Sequence, residues 1–451
     1  MRAAPFSPRH RHGRLDAVTY LTAVLVLAFA IESRYVIGPL GGAGTPAQVL
    51  AVGGLCWWMY FHTARAWSAP WQVQPVRIAL LGLFLCFCAS YAVAMSRPIT
   101  GLESSSATLG LVSLGGWLGV ALLAHDGVPD SERLDAMLRR LVLAGTLLAA
   151  LGIGQFVFNT PLIRWFTVPG LQLNIPLGDL SIRGSFTRPF GTTLHPIEFG
   201  AVLTTLLPVA IARARSHPTA GRIGPWVCVF LLAVGMVVCN SRSAVLSTLV
   251  GLTVLSAIWS ARTRLYALAG ALGILGFVVI ALPGLTGSLL SLFGGAGEDG
   301  SIASRTGSYE LVGEFVSRNL WFGRGGSTFL PSYRILDNQY LLTLIELGVI
   351  GLLAFLAVLA AAFLSARQAR LIACGPAHAE RAQGLAAGVA AAAFGLGTYD
   401  GLSFPVATTI LFIVVGLTGA AYRLERQERL ERAGTPAQST PDQRQEASWP
   451  R

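Results

Sequence analysis

Three stretches of the sequence carry side chains able to handle a phosphate ester and a hydroxyl. Asp337 heads LDNQYLLTLIELGVIGLLAFL (336–356), an otherwise almost wholly apolar run, while Arg242 lies in CNSRSAVLSTLVGL (239–252) and Arg305 in SRTGSYELVGEFVSRN (304–319). A guanidinium grips oxyanions through a planar two-pronged fork, so a pair of them can stabilise a departing diphosphate without a metal. A carboxylate whose proton affinity is raised by desolvation can take the proton of an attacking hydroxyl. Plainer readings stand beside these. Aspartate at a helix start is a good N-cap, typically worth about 1 kcal/mol over alanine. Arg242 can be a snorkelling side chain at a helix end, and Arg305 an interfacial anchor. Because no DxD pair, phosphate-binding GxxxxGK[ST] loop or dinucleotide fingerprint occurs in the chain, no metal and no cofactor is expected.

The elements that position these residues follow from composition. Hydrophobic residues make up 53% of the 451 positions and charged ones 12%, which excludes an ordinary soluble domain and points to an all-α integral membrane protein. Windows long enough to cross about 30 Å of hydrocarbon fall at 15–38, 46–64, 76–95, 107–124, 137–158, 194–212, 223–240, 243–261, 265–284, 338–366, 382–399 and 402–422. They predict about twelve transmembrane helices in a single polytopic domain, 1–451. The six cysteines show neither a disulfide framework nor metal-like spacing.

Orientation rests on arginine, since lysine is absent. With the N-terminus inside, 23 of the 33 basic residues fall on cytoplasmic segments, including ARARSHPTAGR and a basic tail (424–451) expected to be disordered. Most of the others collect in two long external segments, 159–193 and 285–336: Arg164, Arg183, Arg188, Arg305, Arg318, Arg324 and Arg334. Cations held outside against the usual bias suggest an anion presented there. Within 285–336, Tyr309, Val312, Phe315 and Val316 have helical spacing and predict an interfacial amphipathic helix headed by Arg305, with Trp321 and Phe322 as anchors. FGRGG (322–326) reads as an ordinary turn or as a nest of backbone N–H groups for an anion.

Secondary candidates for holding substrate are Arg183, Arg188, Arg324, Asn338, Tyr340, His195 and Glu198. His195 and Glu198, three residues apart, are expected to touch each other and order the mouth, with Glu198 as a substitute base. Glu346 lies about 13.5 Å deeper than Asp337 on the opposite helix face, which favours a structural role. Asp400, in GTYDGLSFP, reads as a turn residue.

At this point the pattern becomes specific. The ordered segments 239–252, 304–329 and 336–356, preceded by RGSFTRPFGTTLHPIEFGAVLTTLLPV (183–209), resemble the O-antigen ligase and polymerase family of bacterial membrane glycosyltransferases. The likeness covers roughly residues 180–360. It implies a GT-C-like helical fold that works at the outer leaflet of the cytoplasmic (inner) membrane and moves a glycan from undecaprenyl diphosphate onto a sugar hydroxyl. The implied partners are a lipid-linked glycan donor, a glycan or glycolipid acceptor and membrane lipids, with no nucleic acid. Residue by residue, the family's functional trio falls on Arg242, Arg305 and position 337. The ligases carry histidine at the last of these; Asp337 matches other branches of the family better. The expected reaction is an inverting, metal-independent displacement with Asp337 as base. A lipid-linked oligosaccharide flippase or secondary transporter is the alternative, and the absence of an internal repeat weighs against it.

Overall fold

The computed structural model describes residues 16–64, 74–163, 168–175, 180–183, 186–216, 223–281 and 311–434. Among the described residues, twelve long helices form a bundle: α1 (Ala17–Ala30), α2 (Pro46–Ala64), α3 (Pro75–Met95), α4 (Gly101–Gly127), α5 (Ser131–Phe158), α6 (Pro196–Ser216), α7 (Gly224–Val238), α8 (Arg242–Ser256), α9 (Ala261–Ala281), α10 (Gln339–Leu371), α11 (Pro376–Leu396) and α12 (Pro405–Gly434). Each apolar window carries one of them. Length and hydropathy qualify seven as membrane spans: α3, α4, α5, α6, α9, α10 and α12. The helices α1, α7 and α8 have 14, 15 and 15 residues, short of the roughly 20 that a span needs, and α11 is diluted by Arg381 and Gln383.

Large apolar side chains face outward, with Leu147 71%, Tyr266 75% and Ile280 81% exposed. Such a surface is stable only against lipid or another apolar partner. Inside, small residues let the helices approach closely. A Cβ on Gly119 of α4 would come 2.2 Å from the Ala51 carbonyl oxygen of α2, and one on Gly388 of α11 would come 2.7 Å from Thr205 O of α6.

Successive connections fall at alternate ends of the bundle. At one end Arg133 pairs with Asp16, Arg213 with Asp135 (3.1 Å), Arg215 with Glu380 (3.0 Å), and Arg381 donates to Ser131 O (2.9 Å). Arg213 and Arg215, in the ARARSHPTAGR segment, thus join helices, and Arg215 also lies over Trp259. The other end, the mouth, is closed by short strands: β1 (Tyr35–Val36) pairs with β2 (Gln172–Leu173), and β3 (Ser181–Arg183) with β4 (Phe186–Arg188). Much of the 159–193 segment is therefore tied down. Gln155, buried in α5, holds the chain behind β4 by accepting from Phe190 N and Gly191 N (3.2 and 2.8 Å) and donating to Gly191 O (3.0 Å).

The 285–336 segment is described from residue 311, so Arg305 and Tyr309 lie outside the described residues. Residues 311–318 are helical. Val312, Phe315 and Val316 cluster with Phe329, Leu336 and Ile345, while Glu314 and Arg318 pair on the exposed face at 2.5 Å. The apolar face therefore packs on protein. Trp321 (62% exposed) and Phe322 (40%) keep the outward placement expected of anchors. At the other terminus α12 continues through 424–434, where the sequence reading has a disordered tail; residues such as Leu, Glu, Arg and Gln favour helix there.

Candidate active site at the mouth

The approach to the site is set by a break in α10. Gly348 has φ 70° and ψ −172°, which splits the helix and leaves backbone groups without helical partners. The FGRGG turn fills the gap. Arg324 N donates to Ile345 O (3.0 Å) and Gly325 N to Glu346 O (2.9 Å), while Val349 N and Ile350 N donate to Leu320 O (2.9 Å) and Trp321 O (3.2 Å). Ser90 Oγ adds a bond to Glu346 O (2.7 Å). The N–H groups of Arg324 and Gly325 are thus spent on α10, not aimed at an anion. Glu346 completes the join by accepting from Phe329 N (3.2 Å) and Ser327 N, in keeping with a structural role.

Arg324 is committed to the same join. Buried, it pairs with Glu103, lies over Phe315 and Tyr333 at 5.0 and 4.9 Å, and its carbonyl accepts from Arg97 at 2.6 and 3.2 Å. Glu103 also belongs to the Thr100 capping box that starts α4. Arg324 therefore fastens the loop to α4.

From this fixed loop the chain reaches Asp337, whose φ of 48° is left-handed. The cap of α10 is the next residue: Asn338 Oδ1 accepts from Tyr340 N (3.0 Å) and Leu341 N (3.2 Å). The capping reading of Asp337 is corrected accordingly, because a residue ahead of the cap cannot reach those N–H groups once Asn338 fills them. Tyr340 points into the bundle, its hydroxyl donating to Ala393 O (2.5 Å), and so joins α10 to α11.

Gln339 then docks this helix start onto the turn between α11 and α12. Its N–H donates to Tyr399 O (3.1 Å) and its Oε1 accepts from Leu402 N (2.8 Å). That docking puts Asp400 next to Asp337. Burial pushes the Asp400 carboxyl above its ordinary range and the charge of Asp337 adds to the effect, against hydrogen bonds from its own backbone and Ser403. Two half-buried carboxylates therefore share one corner of the mouth.

The opposite corner is cationic. Arg188 Nε, on β4, donates to Cys239 O (3.2 Å), and Cys239 Sγ donates to Pro196 O (3.1 Å) at the start of α6. The turn at 239–241, with Asn240 at φ 49°, then leads into Arg242, the first residue of α8. A cation at a helix N-terminus is the arrangement the helix dipole disfavours, so it is a place where an anionic ligand gains. His195 lies just ahead of α6. Burial first, then the charges of Arg188 and Arg34, push its pKa down to about 4, which leaves a neutral imidazole whose Nδ1 accepts from Ile197 N (3.1 Å). Arg34 itself is held by Glu32 (3.2 Å) and Leu194 O (3.3 Å).

Aromatic rings connect the two corners. His195 lies 6.3 Å from Phe404, which lies 6.0 Å from Tyr399. Glu198 does not bond His195. Its carboxylate accepts from Leu194 N (2.7 Å) on one side and from Val406 N and Ala407 N (2.7 and 3.2 Å) on the other, so it caps two helix starts at once. Three donors leave it suited to holding the mouth in shape, not to taking a proton. Arg183 contributes through the β3–β4 pairing.

Of the residues singled out from sequence, Arg188, His195, Arg242, Asp337 and Asn338 come together here, braced by Glu198. Arg324 and Tyr340 serve the scaffold. Asp400 and Arg34 are additions. Both were within reach of the alternation of helices, which puts the end of α11 and the end of α1 at the same face as Asp337. Among the described residues, the one cluster of three side chains able to ligate a metal lies at the far end of the bundle.

Comparison with known proteins agrees with this layout. No curated protein compared matches the chain. Residues 227–356 match the family model described as O-Antigen ligase, which takes in 239–252, 304–329 and 336–356 and leaves 183–209 outside. The part of the bundle from α7 into α10, which contains Arg242 and Asp337, is thus similar to the O-antigen ligase family.

Proposed function

We propose that the protein transfers an oligo- or polysaccharide from undecaprenyl diphosphate to an acceptor hydroxyl at the outer face of the cytoplasmic membrane, inverting the anomeric centre and using no metal. The observation that carries this reading is the placement of Asp337. Asn338 relieves it of capping, and the docking of Gln339 sets it beside Asp400, in the mouth that also holds Arg188, His195 and Arg242. In a direct displacement the acceptor oxygen bonds to C1 of the donor sugar as the bond from C1 to the phosphate oxygen breaks. Asp337 takes the hydroxyl proton, and the charge that grows on the diphosphate falls to guanidinium groups. Arg242 and Arg188 supply these on the described side, and Arg305 is assigned the same task on the resemblance alone. The remaining acceptor contacts go to Asn338, His195 and the strand bearing Arg183. The proposed topology has both termini cytoplasmic and about twelve spans.

A broken helix such as α10 is also a mark of transporters, where freed backbone groups line a central ion site. Here four backbone bonds with residues 320–325 occupy those groups, so the break provides no such site.

The test is Asp337→Asn, assayed with purified protein, a lipid-linked glycan and no nucleotide sugar. Asparagine tolerates the left-handed conformation and leaves the Asn338 cap intact, so melting should not move. Turnover should fall by about 10²–10⁴, the usual contribution of general acid–base help. Near wild-type turnover would remove Asp337 as base.

A further inference from the structure

At the end of the bundle away from the mouth, Cys374, in the linker between α10 and α11, meets Glu425 and Glu428, one turn apart on α12. One ligating atom from each lies within 4.8 Å of the others. The group is built, not merely adjacent. Cys374 N donates to Glu425 Oε2 (3.0 Å), and its thiol bonds to Glu428. His378 Nδ1 meets Glu425 Oε1 at 2.6 Å, while Ser131 Oγ, at the start of α5, donates to Glu428 Oε1 (3.0 Å). Each carboxylate is therefore oriented by a second residue, the support that metal-ligating groups need. Glu425 is 4% exposed, and it lies twenty residues from the start of α12. At 1.5 Å per residue that is about 30 Å, the thickness of the hydrocarbon, so the cluster sits where an aqueous ion can reach it.

We propose that Cys374, Glu425 and Glu428 bind a divalent metal of the zinc class, with a water in the fourth position and His378 and Ser131 orienting the carboxylates. The sulfur decides the class. Magnesium and calcium take oxygen ligands, whereas a thiolate with carboxylates suits zinc or cadmium. The ion displaces the thiol proton to solvent on binding. Three anionic ligands around a dication leave one net negative charge, which the nearby Arg381 and Arg432 guanidinium groups offset. The bound ion clasps the α10–α11 linker to α12 and α5, independently of chemistry at the mouth.

The full chain, purified in detergent and stripped with chelator, is given Zn²⁺ or Cd²⁺ and passed through gel filtration. Wild type should retain about one ion per chain, and Cd²⁺ should add an ultraviolet thiolate charge-transfer band. Cys374→Ser should lose the band and the ion; Glu428→Gln should weaken retention by roughly tenfold or more; Cys56→Ser, which alters an exposed thiol elsewhere, should change neither. Both ligand variants should melt like stripped wild type, and metal should raise the melting temperature of wild type and Cys56→Ser but not of Cys374→Ser. No thiolate band in wild type, or equal retention in Cys374→Ser and wild type, would leave a hydrogen-bonded cluster only and overturn the proposal.

Discussion

Replacing Gly348 by alanine tests the joint on which the mouth rests. Its backbone, at φ 70° and ψ −172°, lies in a region that is essentially glycine's alone, and forcing another residue there costs of order 1–3 kcal/mol. Space is a second obstacle. The new Cβ would stand 2.3 Å from Trp321 O and 2.4 Å from Trp321 C, and backbone on a packed loop cannot swing aside as a side-chain tip can. Relief requires the 320–325 strand to part from α10, which endangers the bonds joining Leu320, Trp321, Arg324 and Gly325 to it. If two of these are lost at about 1 kcal/mol each, the total destabilisation is about 3–5 kcal/mol. Thermal and denaturant melts in detergent would read it, with Gly82→Ala as control. Gly82 is in α3, a Cβ there meets nothing within 4 Å, and the exchange should be neutral or gain up to about 1 kcal/mol. Gly323→Ala should resemble Gly348→Ala, since its Cβ would lie 2.3 Å from Glu346 C and O, and the double variant should cost less than the sum because one interface is opened twice. If Gly348→Ala melts with Gly82→Ala, the loop does not bridge the broken helix.

Further outcomes follow from the same geometry. Arg242→Lys should lose most turnover while folding normally, because an ammonium keeps the charge without the two-pronged fork; Arg318→Lys, at an exposed pair with Glu314, should lose little, and equal mild losses would reduce Arg242 to an anchor. In a background without native cysteines, a cysteine at Ser317 should react with an impermeant thiol reagent on intact cells and one at Ser260 should not; both are exposed, at opposite ends of the bundle, and the reverse pattern would invert the topology. Asp400 has a raised folded pKa, so its contribution to stability is present in full below its ordinary value of 3.8 and is lost as pH rises through the folded value. Asp400→Asn, neutral at every pH, should flatten that part of the stability profile, and an unchanged profile would show that burial does not raise the Asp400 carboxyl.

The helices were legible because apolar length is a strong signal, and the alternation of arginine along the chain already sorted the connections between two ends. Their joints were not. The interruption at Gly348 is invisible in IELGVIGLL, because an isolated glycine in an apolar helix is ordinary; its conformation is set by a segment more than twenty residues earlier. The same long-range dependence left FGRGG open between a turn and an anion nest; its glycines bring backbone to backbone inside one chain. Arg324 shows the limit for charged residues. Sequence marked it as a cation expected on the external side, but not that a carboxylate 221 positions away and two aromatic rings already hold it.

Asp337 shows what resolves a residue with two readings. Both its candidate roles need a carboxylate near a helix start, so composition and spacing could not separate them, and neighbouring Asn338 offered no hint of priority because both side chains cap well. The backbone bears on the capping role. A left-handed Asp337 turns the chain so that Asn338 reaches Tyr340 N and Leu341 N, and the acid is left ahead of the helix with its capping work done by another. A carboxylate kept half-buried beside a second one is a costly arrangement for a protein that needs only a helix start, since the Asn338 cap would serve without it. The His195–Phe404 stack links this corner to the one where Arg188 bonds Cys239 O and the chain turns into Arg242. Two acids at one corner and arginines at the other suit the proposed reaction, which removes a proton at one atom while charge gathers on a diphosphate at another.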